Sequence, residues 1–293
     1  MIALIGKNGQ IGRHLEKKLD AQKLIYQAYS RESFDLTDHH TSSNILASIR
    51  PSIIINCAAF TKVPDAETSF SEAIAVNHLA VKNLVNISNK INSRLIHIST
   101  DYVFDGASTS MYFEDSVPNP INKYGLSKYL GDREVLENCK NFILIRTSWV
   151  LSEYGNNFLK TIFLKKNKNP LNVICDQYGT PSFADDIAES ILRLILNKEF
   201  DKKFFNNEVI NISSGDKCSW YDIAEEILKE TDKILGSSYT KNLKMIKTEE
   251  YNNQFDRPKN SALNNDKAMR LRLIEKKGWK GKVRDLLSTI IKE

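Results

Sequence analysis

The chain has 293 residues, of which 41% are hydrophobic and 26% charged, and its formal net charge is +5 at pH 7. That length provides ample core for one large domain or two ordinary ones, and no apolar run approaches the roughly 18 residues that a membrane-spanning helix needs. The basic residues are dispersed, and their densest cluster, at residues 276–282, is typical of a solvated terminus rather than of a nucleic-acid-binding surface.

The cysteines and the N-terminus indicate the compartment. The four cysteines (Cys57, Cys139, Cys175 and Cys218) lie far apart and form no C-x-x-C pair, which favours free thiols over a disulfide framework or a zinc site. The five histidines show no metal-ligand spacing either. The first residues lack the basic segment and the small-residue cleavage site of a signal peptide. We therefore expect a cytoplasmic protein without a bound metal.

The first element is a short apolar strand over residues 2–5, which runs into Gly6, Gly9 and Gly12 and then into a helix that ends near Leu19. In a dinucleotide-binding fold such glycines permit a tight turn, the approach of backbone to a pyrophosphate, and close packing of helix on strand. The spacing alone is a weak signal, but its position after an N-terminal strand favours a dinucleotide site over a purely structural turn.

The second apolar run, residues 24–29, ends in Ser30 and Arg31. An acidic residue at this place would bind the 2′-hydroxyl of an adenosine ribose. A hydroxyl and a guanidinium suit a 2′-phosphate better, so the sequence favours NADPH. NADH stays possible because Glu32 follows directly, and an ordinary surface arginine is the other interpretation.

Strands and helices then alternate. A third strand ends in the small residues Ala58 and Ala59, a long helical segment covers residues 71–91, and a fourth strand ends in Ser99 and Thr100. This alternation predicts an α/β fold of the Rossmann type, a doubly wound parallel sheet with right-handed connections, whose ligands bind at the carboxyl ends of the strands. The glycine turn, the alanine pair and the threonine should therefore lie along one rim.

Tyr124 and Lys128 are spaced i and i+4 on a predicted helix, which places them on one face with Cβ atoms roughly 6 Å apart. An ammonium that close should lower the pKa of the phenol from its reference value of about 10 toward neutrality, giving a proton donor that works near pH 7. A lone Y-x-x-x-K is more often an ordinary exposed helix face. The convergence of the other motifs on one rim favours the catalytic interpretation here.

Beyond a fifth strand the periodicity loosens. We predict a helix over 184–196, a strand near 209–212, an amphipathic helix over 220–230 and a final helix near 282–291, with mostly loop over 237–265. The pattern fits a dinucleotide-binding domain and a smaller interleaved α+β substrate domain. Their predicted extents are 1–148 plus about 181–214 for the first, and about 149–180 plus 215–293 for the second.

Six motifs occur in order along the chain: Gly6-x-x-Gly9-Gln10-x-Gly12, Ser99-Thr100-Asp101-Tyr102-Val103-Phe104-Asp105-Gly106, Tyr124-Gly125-x-Ser127-Lys128, Arg146-Thr147-Ser148-Trp149-Val150, Gly155-Asn156-Asn157-Phe158 and Asp176-Gln177-x-Gly179-x-Pro181. With these motifs the chain resembles the extended short-chain dehydrogenase/reductases, and within them the dTDP-4-dehydrorhamnose reductase family. The resemblance covers nearly the full length and thins after about residue 235. The second and fourth motifs are much more specific to the reductase branch than the first and third, which the whole superfamily shares.

The resemblance implies roles for individual residues. The catalytic set would be Thr100, Tyr124 and Lys128. The cofactor would be bound by Gly6, Gly9, Gln10, Ile11 and Gly12 at the pyrophosphate, Ser30 and Arg31 at the adenosine ribose, Asp35 and Leu36 at the adenine, and Ala58, Ala59, Thr61, Tyr124 and Lys128 further along. The sugar nucleotide would be met by Thr100, Asp101 and Trp149.

Two further residues bear on the expected ligands. Arg257 has the bidentate fork that suits a pyrophosphate, although a surface arginine beside a proline is the alternative. Some members of the family are described as dimers bridged by magnesium through glutamates. His14 stands where that pattern expects a glutamate, so no metal is carried over to this chain.

The implied reaction is the reduction by NAD(P)H of the C4 ketone of dTDP-4-dehydro-L-rhamnose to give dTDP-L-rhamnose, a step of deoxysugar and cell-surface polysaccharide biosynthesis. Tyr124 would protonate the developing alkoxide, Lys128 would lower the tyrosine pKa and hold the nicotinamide ribose, and Thr100 would polarise the ketone. The expected partner is the nucleoside-diphosphate deoxysugar, without nucleic acid or membrane, and the protein would be a monomer or a homodimer.

Two alternatives stay open. The chain could perform another nucleotide-sugar reaction on the same fold, as an epimerase, dehydratase or different reductase. Dehydratases of the superfamily resemble S-T-D-E, and Tyr102 stands here in place of that second acid. It could also be a non-catalytic regulatory subunit, like the relative that binds nucleotide and tunes methionine adenosyltransferase, although Thr100, Tyr124 and Lys128 are all kept.

Overall fold

The computed structural model of the chain describes residues 1–197, 207–251, 255–275 and 278–292. Residues 276 and 277 of the basic cluster, and residues 198–206 of the predicted dinucleotide domain, lie outside the described residues. The strands in chain order are β1 (Ile2–Ile5), β2 (Tyr26–Tyr29), β3 (Ile53–Asn56), β4 (Arg94–Thr100), β5 (Phe142–Thr147), β6 (Val150–Leu151), β7 (Leu171–Ile174), β8 (Tyr178–Gly179), β9 (Ser182–Phe183), β10 (Glu208–Asn211), β11 (Cys218–Ser219) and β12 (Leu243–Ile246).

The helices are α1 (Gln10–Ala21), α2 (His39–Ile49), α3 (Val63–Thr68), α4 (Phe70–Ile74), a π-helical turn (Ala75–Leu79), α5 (Ala80–Ile91), α6 (Lys123–Asn138), α7 (Phe158–Leu164), α8 (Ala184–Leu196), α9 (Trp220–Leu235), α10 (Asp266–Arg270) and α11 (Trp279–Lys292). Short 3₁₀ turns occur at Asp101–Val103, Tyr239–Asn242 and Thr248–Glu250. Among the described residues, no helix combines the length and the apolar character needed to cross a membrane.

The central element is a six-stranded sheet with the order β10-β5-β4-β3-β1-β2, in which every neighbouring pair runs parallel. The predicted doubly wound parallel sheet is thereby confirmed. The central strands are short, continuous apolar runs because both faces of the sheet are covered by helices. From β1 the chain first goes to one side, to β2, and then returns to the other side, to β3. A ligand crevice is expected at such a reversal, outside the carboxyl ends of the strands.

The alternation of side chains along the strands builds two cores on opposite faces of the sheet. Leu4 faces one core, where Leu15 of α1 and Ile191 of α8 pack. Ala3 and Ile5, its neighbours on β1, face the other core, which is completed by α2, α5 and α6. A third core is separate from the sheet and is formed mainly by residues of β6, β7, α7, α9 and α11.

The boundaries of several elements differ from the predicted ones. The helix over 184–196 was predicted at its observed ends, whereas α9 continues to Leu235 and α11 begins at Trp279. The strand β12 lies in a segment predicted as loop. It pairs in parallel with β7, and only its last residue, Ile246, is fully buried, so the apolar pattern that would predict a strand is weak.

Candidate active site

The glycine turn between β1 and α1 lies at the reversal of the sheet. Gly6 has φ +85°, and a Cβ at this position would lie 2.7 Å from the backbone nitrogen of Ala58, which follows β3. A Cβ on Gly12 would lie 2.2 Å from the carbonyl oxygen of Gly6. Both positions therefore require glycine, because α1 packs directly on the turn.

The N-terminus of α1 suits an anion. Gly9 is its N-cap, no side chain caps the helix, and its first turn has no acidic residue. Unpaired amide groups and the positive end of the helix dipole attract phosphate at such a place. Gln10 and Ile11 stand in this first turn. Gln10 is also tied to the third core, since its Oε1 accepts a hydrogen bond of 3.1 Å from Asn157 Nδ2.

The residues after β2 are mostly open to solvent and include one arginine, Arg31. Arg31 is 81% exposed in its side chain, and its nearest carboxylate oxygen, on Asp35, lies 4.0 Å away. The Asp35 carboxylate accepts hydrogen bonds from the amide and the hydroxyl of Thr37, which hold its pKa below its usual range. Leu36 is buried in the core that lies against α2 and α5, so only its backbone is available to a ligand.

The segment after β3 faces the glycine turn. Ala58 and Ala59 are half-buried and Thr61 is exposed. The backbone amide of Ala58 donates a hydrogen bond of 3.1 Å to Oδ1 of Asn56, the last residue of β3. The predicted alanine pair and the predicted glycine turn are thus brought together.

Thr100, Asp101 and Tyr124 form a connected group at the carboxyl end of β4. Thr100 Oγ1 donates to Asp101 Oδ1 at 3.0 Å and accepts from the amide of Tyr102 at 3.2 Å. The Thr100 hydroxyl also lies near the phenol of Tyr124 and lowers its pKa. Asp101 is only 1% exposed, its Oδ2 has no hydrogen-bond partner, and burial raises its pKa to about 7.

The expected lowering of the Tyr124 pKa is wrong for this structure. Burial, the largest cause, raises the pKa of Tyr124, and the nearby Asp101, Tyr102 and Asp132 raise it further, while the neighbouring Thr100 hydroxyl lowers it. Lys128 shares the helix face as predicted, but its ammonium is directed elsewhere. A buried phenol without a neighbouring cation keeps its proton because the phenolate is poorly solvated.

Lys128 is 2% exposed and reaches the strand under the site. Its Nζ donates to the carbonyl oxygen of Ile98 at 2.8 Å and lies 3.5 Å from Nε2 of His97. Burial lowers the pKa of Lys128 to about 8, against the opposing effect of Asp132 on the next turn of α6.

A buried ion pair supports the helix that carries these residues. Asp132 accepts a hydrogen bond of 2.7 Å from Ser99 and lies 3.8 Å from Arg146 Nε of β5. The side chains of Asp132 and Arg146 are 0% and 2% exposed. Arg146, the arginine of the R-T-S-W-V motif, thus lies beneath the site, where it fixes α6 against the sheet rather than meeting a ligand.

Trp149 stands at the border between the sheet and the third core. Its backbone has φ +48°, and its ring stacks on Trp220 of α9 at a centroid distance of 3.6 Å. Gly179 closes the other side, because a Cβ there would lie 2.4 Å from the Trp149 ring. The indole is therefore held between Trp220 and Gly179, and Trp149 as a whole is half-buried.

Arg257 lies beside the group of Thr100, Asp101 and Tyr124 rather than on a remote surface. Its guanidinium carbon is 4.8 Å from the Phe255 ring centre, and its positive charge lowers the pKa of Tyr102 against the burial that raises it to about 12. The segment is anchored to the start of α6, since Asn122 Nδ2 donates to the Asp256 carbonyl at 2.9 Å. Arg257 Nε is buried without a hydrogen-bond partner.

His14 lies in the second turn of α1, two residues after Gly12. Its ring nitrogens lie 3.1 Å from Glu153 and 3.4 Å from Asp185, and Lys18 pairs with Asp185 at 2.9 Å. Within the described ranges, no group of three or more His, Cys, Asp or Glu side chains is arranged to hold a metal ion.

Sequence reasoning missed several residues of this site. Asn56 and His97 are polar side chains at 0% exposure on neighbouring strands, and Trp220 supports Trp149 from a distant helix. A histidine that interrupts an otherwise apolar strand was a usable signal. The stacking of Trp220 had no signal, since it depends on how the third core packs.

Comparison with known proteins gives a consistent family. The model of a family described as the RmlD substrate binding domain matches residues 1–291. A dTDP-4-dehydrorhamnose reductase from Aggregatibacter actinomycetemcomitans is 34% identical over 294 residues, covering 97% of each chain. One from Sinorhizobium fredii is 34% identical over 293 residues, covering 100% of this chain and 98% of that protein. The crystal structure of the Bacillus anthracis dTDP-4-dehydrorhamnose reductase in complex with NADP has a TM-score of 0.86 at 29% identity, covering 98% of both chains.

Proposed function

The chain belongs to the dTDP-4-dehydrorhamnose reductase family, and from that premise we propose that it reduces the C4 ketone of dTDP-4-dehydro-L-rhamnose to give dTDP-L-rhamnose. It is an NADPH-dependent oxidoreductase of nucleotide-sugar biosynthesis. The observation that carries the proposal is that Thr100 and Tyr124 lie together at the carboxyl end of β4, on the same rim as the uncapped N-terminus of α1.

The residues at the rim fit NADPH. The turn from Gly6 to Gly12 and the free amides of the first turn of α1 would hold the pyrophosphate. Ser30 and the exposed Arg31 would hold the 2′-phosphate, because a guanidinium binds phosphate as a two-pronged donor. Asp35 and Leu36 would border the adenine, and Ala58, Ala59 and Thr61 the middle of the cofactor. When bound, NADPH supplies the hydride that reduces the ketone carbon.

Tyr124 is the proton donor of the proposed reaction. A ketone reduction places negative charge on the former carbonyl oxygen, which must receive a proton. Because its raised pKa keeps the phenol protonated at neutral pH, Tyr124 is in the form that this step requires. The Thr100 hydroxyl, within hydrogen-bonding reach of the phenol, would orient the ketone oxygen toward it.

Lys128 would hold the nicotinamide ribose and stabilise the tyrosinate that remains after proton transfer. An ammonium in a buried site acts on a nearby anion far more strongly than it would in water. Its pKa of about 8 leaves it mostly charged at neutral pH. It lies on the same helix face as Tyr124, one turn further along α6.

Trp149, Asp101 and Arg257 would meet the sugar nucleotide. The part of the clamped indole that stays exposed offers an apolar contact to a sugar, and the unpartnered Nε of Arg257 suits an anionic diphosphate. Asp101 is buried, so it would act on the sugar through Thr100. We further propose that the third core belongs to a substrate domain of about residues 149–180 and 215–293, although Ala268 and Leu273 of that segment pack in a core of the sheet.

Two rival functions are weaker on particular observations. A dehydratase needs a second acid after Asp101, whereas Tyr102 stands there and packs edge-on against Tyr124 at a centroid distance of 5.5 Å. A regulatory subunit would not need the group of Thr100, Tyr124 and Lys128. We place the enzyme in the cytoplasm as a monomer or homodimer, and light scattering of the purified protein would distinguish these two states.

The test is turnover of dTDP-4-dehydro-L-rhamnose with NADPH, followed by loss of NADPH absorbance and by NMR of the product. Tyr124→Phe should lower turnover by about a hundredfold or more while NADPH still binds, because general acid catalysis contributes about that much. Tyr129→Phe, on the same helix, is the matched control and should keep activity. Near-normal turnover in the Tyr124 variant would exclude the proposed donor, and a panel of other 4-keto nucleotide sugars tests the choice of sugar.

A further inference from the structure

The buried surroundings of Lys128 contain two polar side chains that the reaction does not explain. His97 of β4 and Asn56 of β3 are paired residues of neighbouring parallel strands, and both are 0% exposed. Asn56 Nδ2 lies 3.1 Å from His97 Nδ1, and His97 Nε2 lies 3.5 Å from Lys128 Nζ. The side chains thus form a line from the rim beside the glycine turn to the lysine.

The orientation of the Asn56 amide is fixed by the backbone. The amide group of Ala58 can only donate, and it donates to the Asn56 side chain at 3.1 Å. The acceptor must be the amide oxygen, so the NH₂ group of Asn56 faces His97. The orientation therefore does not depend on how the two ends of the amide are assigned.

The orientation of Asn56 determines the tautomer of His97. Because Asn56 donates to Nδ1, that nitrogen must carry a lone pair. Burial and the charge of Lys128 both lower the pKa of His97, so the ring is neutral. A neutral imidazole has one N–H, which must then be on Nε2, directed at the Lys128 amine.

We propose that Asn56 and His97 are positioning residues of the reductase, in which Asn56 fixes the His97 tautomer and the Nε2–H of His97 sets the place and the charge preference of Lys128. This inference rests on the proposed function. An N–H dipole facing an ammonium disfavours the charged amine and turns the lysine protons toward the Ile98 carbonyl, the acceptor at 2.8 Å. The opposite tautomer would present a lone pair and favour the ammonium.

The other charged groups near Lys128 act in both directions. Asp132, on its own helix, favours the ammonium, and Arg146 of β5 partly neutralises Asp132. Tyr124 is one turn before Lys128 and is protonated. On the side of the sheet, the groups that face Lys128 are His97 of β4 and the neutral Asn56 of β3. A substitution can therefore reverse their effect on the charge of Lys128 by changing the His97 tautomer.

The first test reads the tautomer without any activity. Long-range ¹H–¹⁵N correlation spectra of the full chain distinguish a protonated from an unprotonated ring nitrogen, and the five histidines make the spectrum tractable. The His97 signals are assigned by their loss in His97→Leu. We expect wild-type His97 to be neutral with its proton on Nε2. A proton on Nδ1, or on both nitrogens, would overturn the proposal without any measurement of turnover.

The second test reverses the tautomer. In Asn56→Asp the new carboxylate still accepts from Ala58 but can only accept from His97, so the ring proton should move to Nδ1. The alkaline limb of the turnover profile should then rise from about 8 by about one unit, so that at about pH 9 the variant keeps about fivefold more of its maximal turnover than wild type does.

A double variant separates the tautomer from the added charge. In the His97→Leu background, Asn56→Asp should move the alkaline limb much less than it does in wild type. An equal shift in both backgrounds would mean that the carboxylate acts on Lys128 directly, and the proposal would be wrong. If wild type reduces no 4-keto nucleotide sugar, the proposed function fails, whereas the tautomer measurement still decides the arrangement of Asn56 and His97.

Discussion

At the scale of single residues, the Thr100 hydroxyl has one proton for two acceptors. In the structure that proton goes to Asp101 Oδ1 at 3.0 Å, so it is not available to a ketone oxygen. Asp101 is buried with a pKa raised to about 7. Once Asp101 is protonated it can donate to Thr100 instead, and the Thr100 proton becomes free to polarise the substrate. The proposed role of Thr100 in substrate binding therefore depends on the charge of Asp101.

This arrangement predicts the pH dependence of turnover. An acid with a raised pKa is neutral below that value, so turnover of wild type should be higher below about pH 7. It should fall to a lower level as the pH rises through that value, before the separate fall near pH 8 that Lys128 sets. In Asp101→Asn the amide donates to Thr100 at every pH, and the fall at about pH 7 should disappear. The comparison needs turnover at saturating substrate between about pH 5.5 and 8. Parallel profiles for the two proteins would contradict the role of Asp101.

The sequence could predict which residues come together here but not how they are charged. Thr100, Tyr124 and Lys128 were found from the motifs and from their place on a rim. The predicted direction of the Tyr124 pKa shift was wrong. The i, i+4 spacing indicates that the two residues share a helix face, but it does not indicate which acceptor Lys128 binds. The Lys128 amine donates to Ile98 O and lies beside His97, and no pattern in the helix itself contains that information.

At the scale of elements, Trp149 depends on two short strands and a helix. β8 contributes Gly179, and α9 contributes Trp220, so the indole lies in a slot formed by segments that are about 30 to 70 residues away in sequence. The R-T-S-W-V motif contains Trp149, and the D-Q-x-G motif contains Gly179. The contact between this glycine and this tryptophan could not be predicted, because it depends on how β8 packs against the residue that precedes β6.

Filling the slot should affect substrate binding selectively. In Gly179→Ala the new Cβ would lie 2.4 Å from the Trp149 ring, so the indole must move. We expect KM for the nucleotide sugar to rise by about tenfold, while KM for NADPH changes little because Gly179 is not at the glycine turn. Steady-state kinetics with each substrate varied in turn measures both values. Gly281→Ala, on the exposed start of α11 where a Cβ meets nothing within 4 Å, is the matched control.

At the scale of the whole molecule, the chain passes repeatedly between the sheet and the third core. Gly155-Asn156-Asn157-Phe158 is one of the crossing points. Asn157 caps α7 by accepting from Lys160, and its Nδ2 donates to Ser152 O at 2.6 Å and to Gln10 Oε1 at 3.1 Å. The motif therefore joins the helix that would face the cofactor phosphates to a helix of the third core.

Loss of the Asn157 contacts should affect both the stability of the fold and the binding of NADPH. Asn157→Ala removes a helix cap worth about 1 kcal/mol, and the melting temperature should fall by about 2–4 °C. Because Gln10 loses a partner beside the proposed phosphate site, KM for NADPH should rise as well. Thermal unfolding and kinetics measure the two effects, with Asn156→Ala as the neighbouring control. A variant that loses stability but binds NADPH normally would show that the junction serves the fold alone.

The fold as a whole was largely predictable because a covered parallel sheet requires continuous apolar strands, and these are visible in the sequence. The strand β12 was missed for the converse reason, since only Ile246 is fully buried. The proposed division of the chain into two regions rests on the loosening of the periodicity. The packing of Ala268 and Leu273 in a core of the sheet could not be predicted, because short helices such as α10 have no pattern long enough to assign them.

The π-helical turn at Ala75–Leu79 has a consequence for chain length. The amide of Ala80 bonds to the carbonyl of Ala75, five residues back, so this turn holds one residue more than an α-helical turn does. Deleting one residue here would let the helix close as a regular α-helix, because the π-helical turn holds its extra residue within one turn and keeps the residues on either side in phase. Val81, Leu84 and Val85 would then stay in the core they share with the sheet. The same deletion inside α5 would rotate the residues after it by about 100° and turn them away from that core. A single-residue gap should therefore be tolerated at the π-helical turn and rejected within α5.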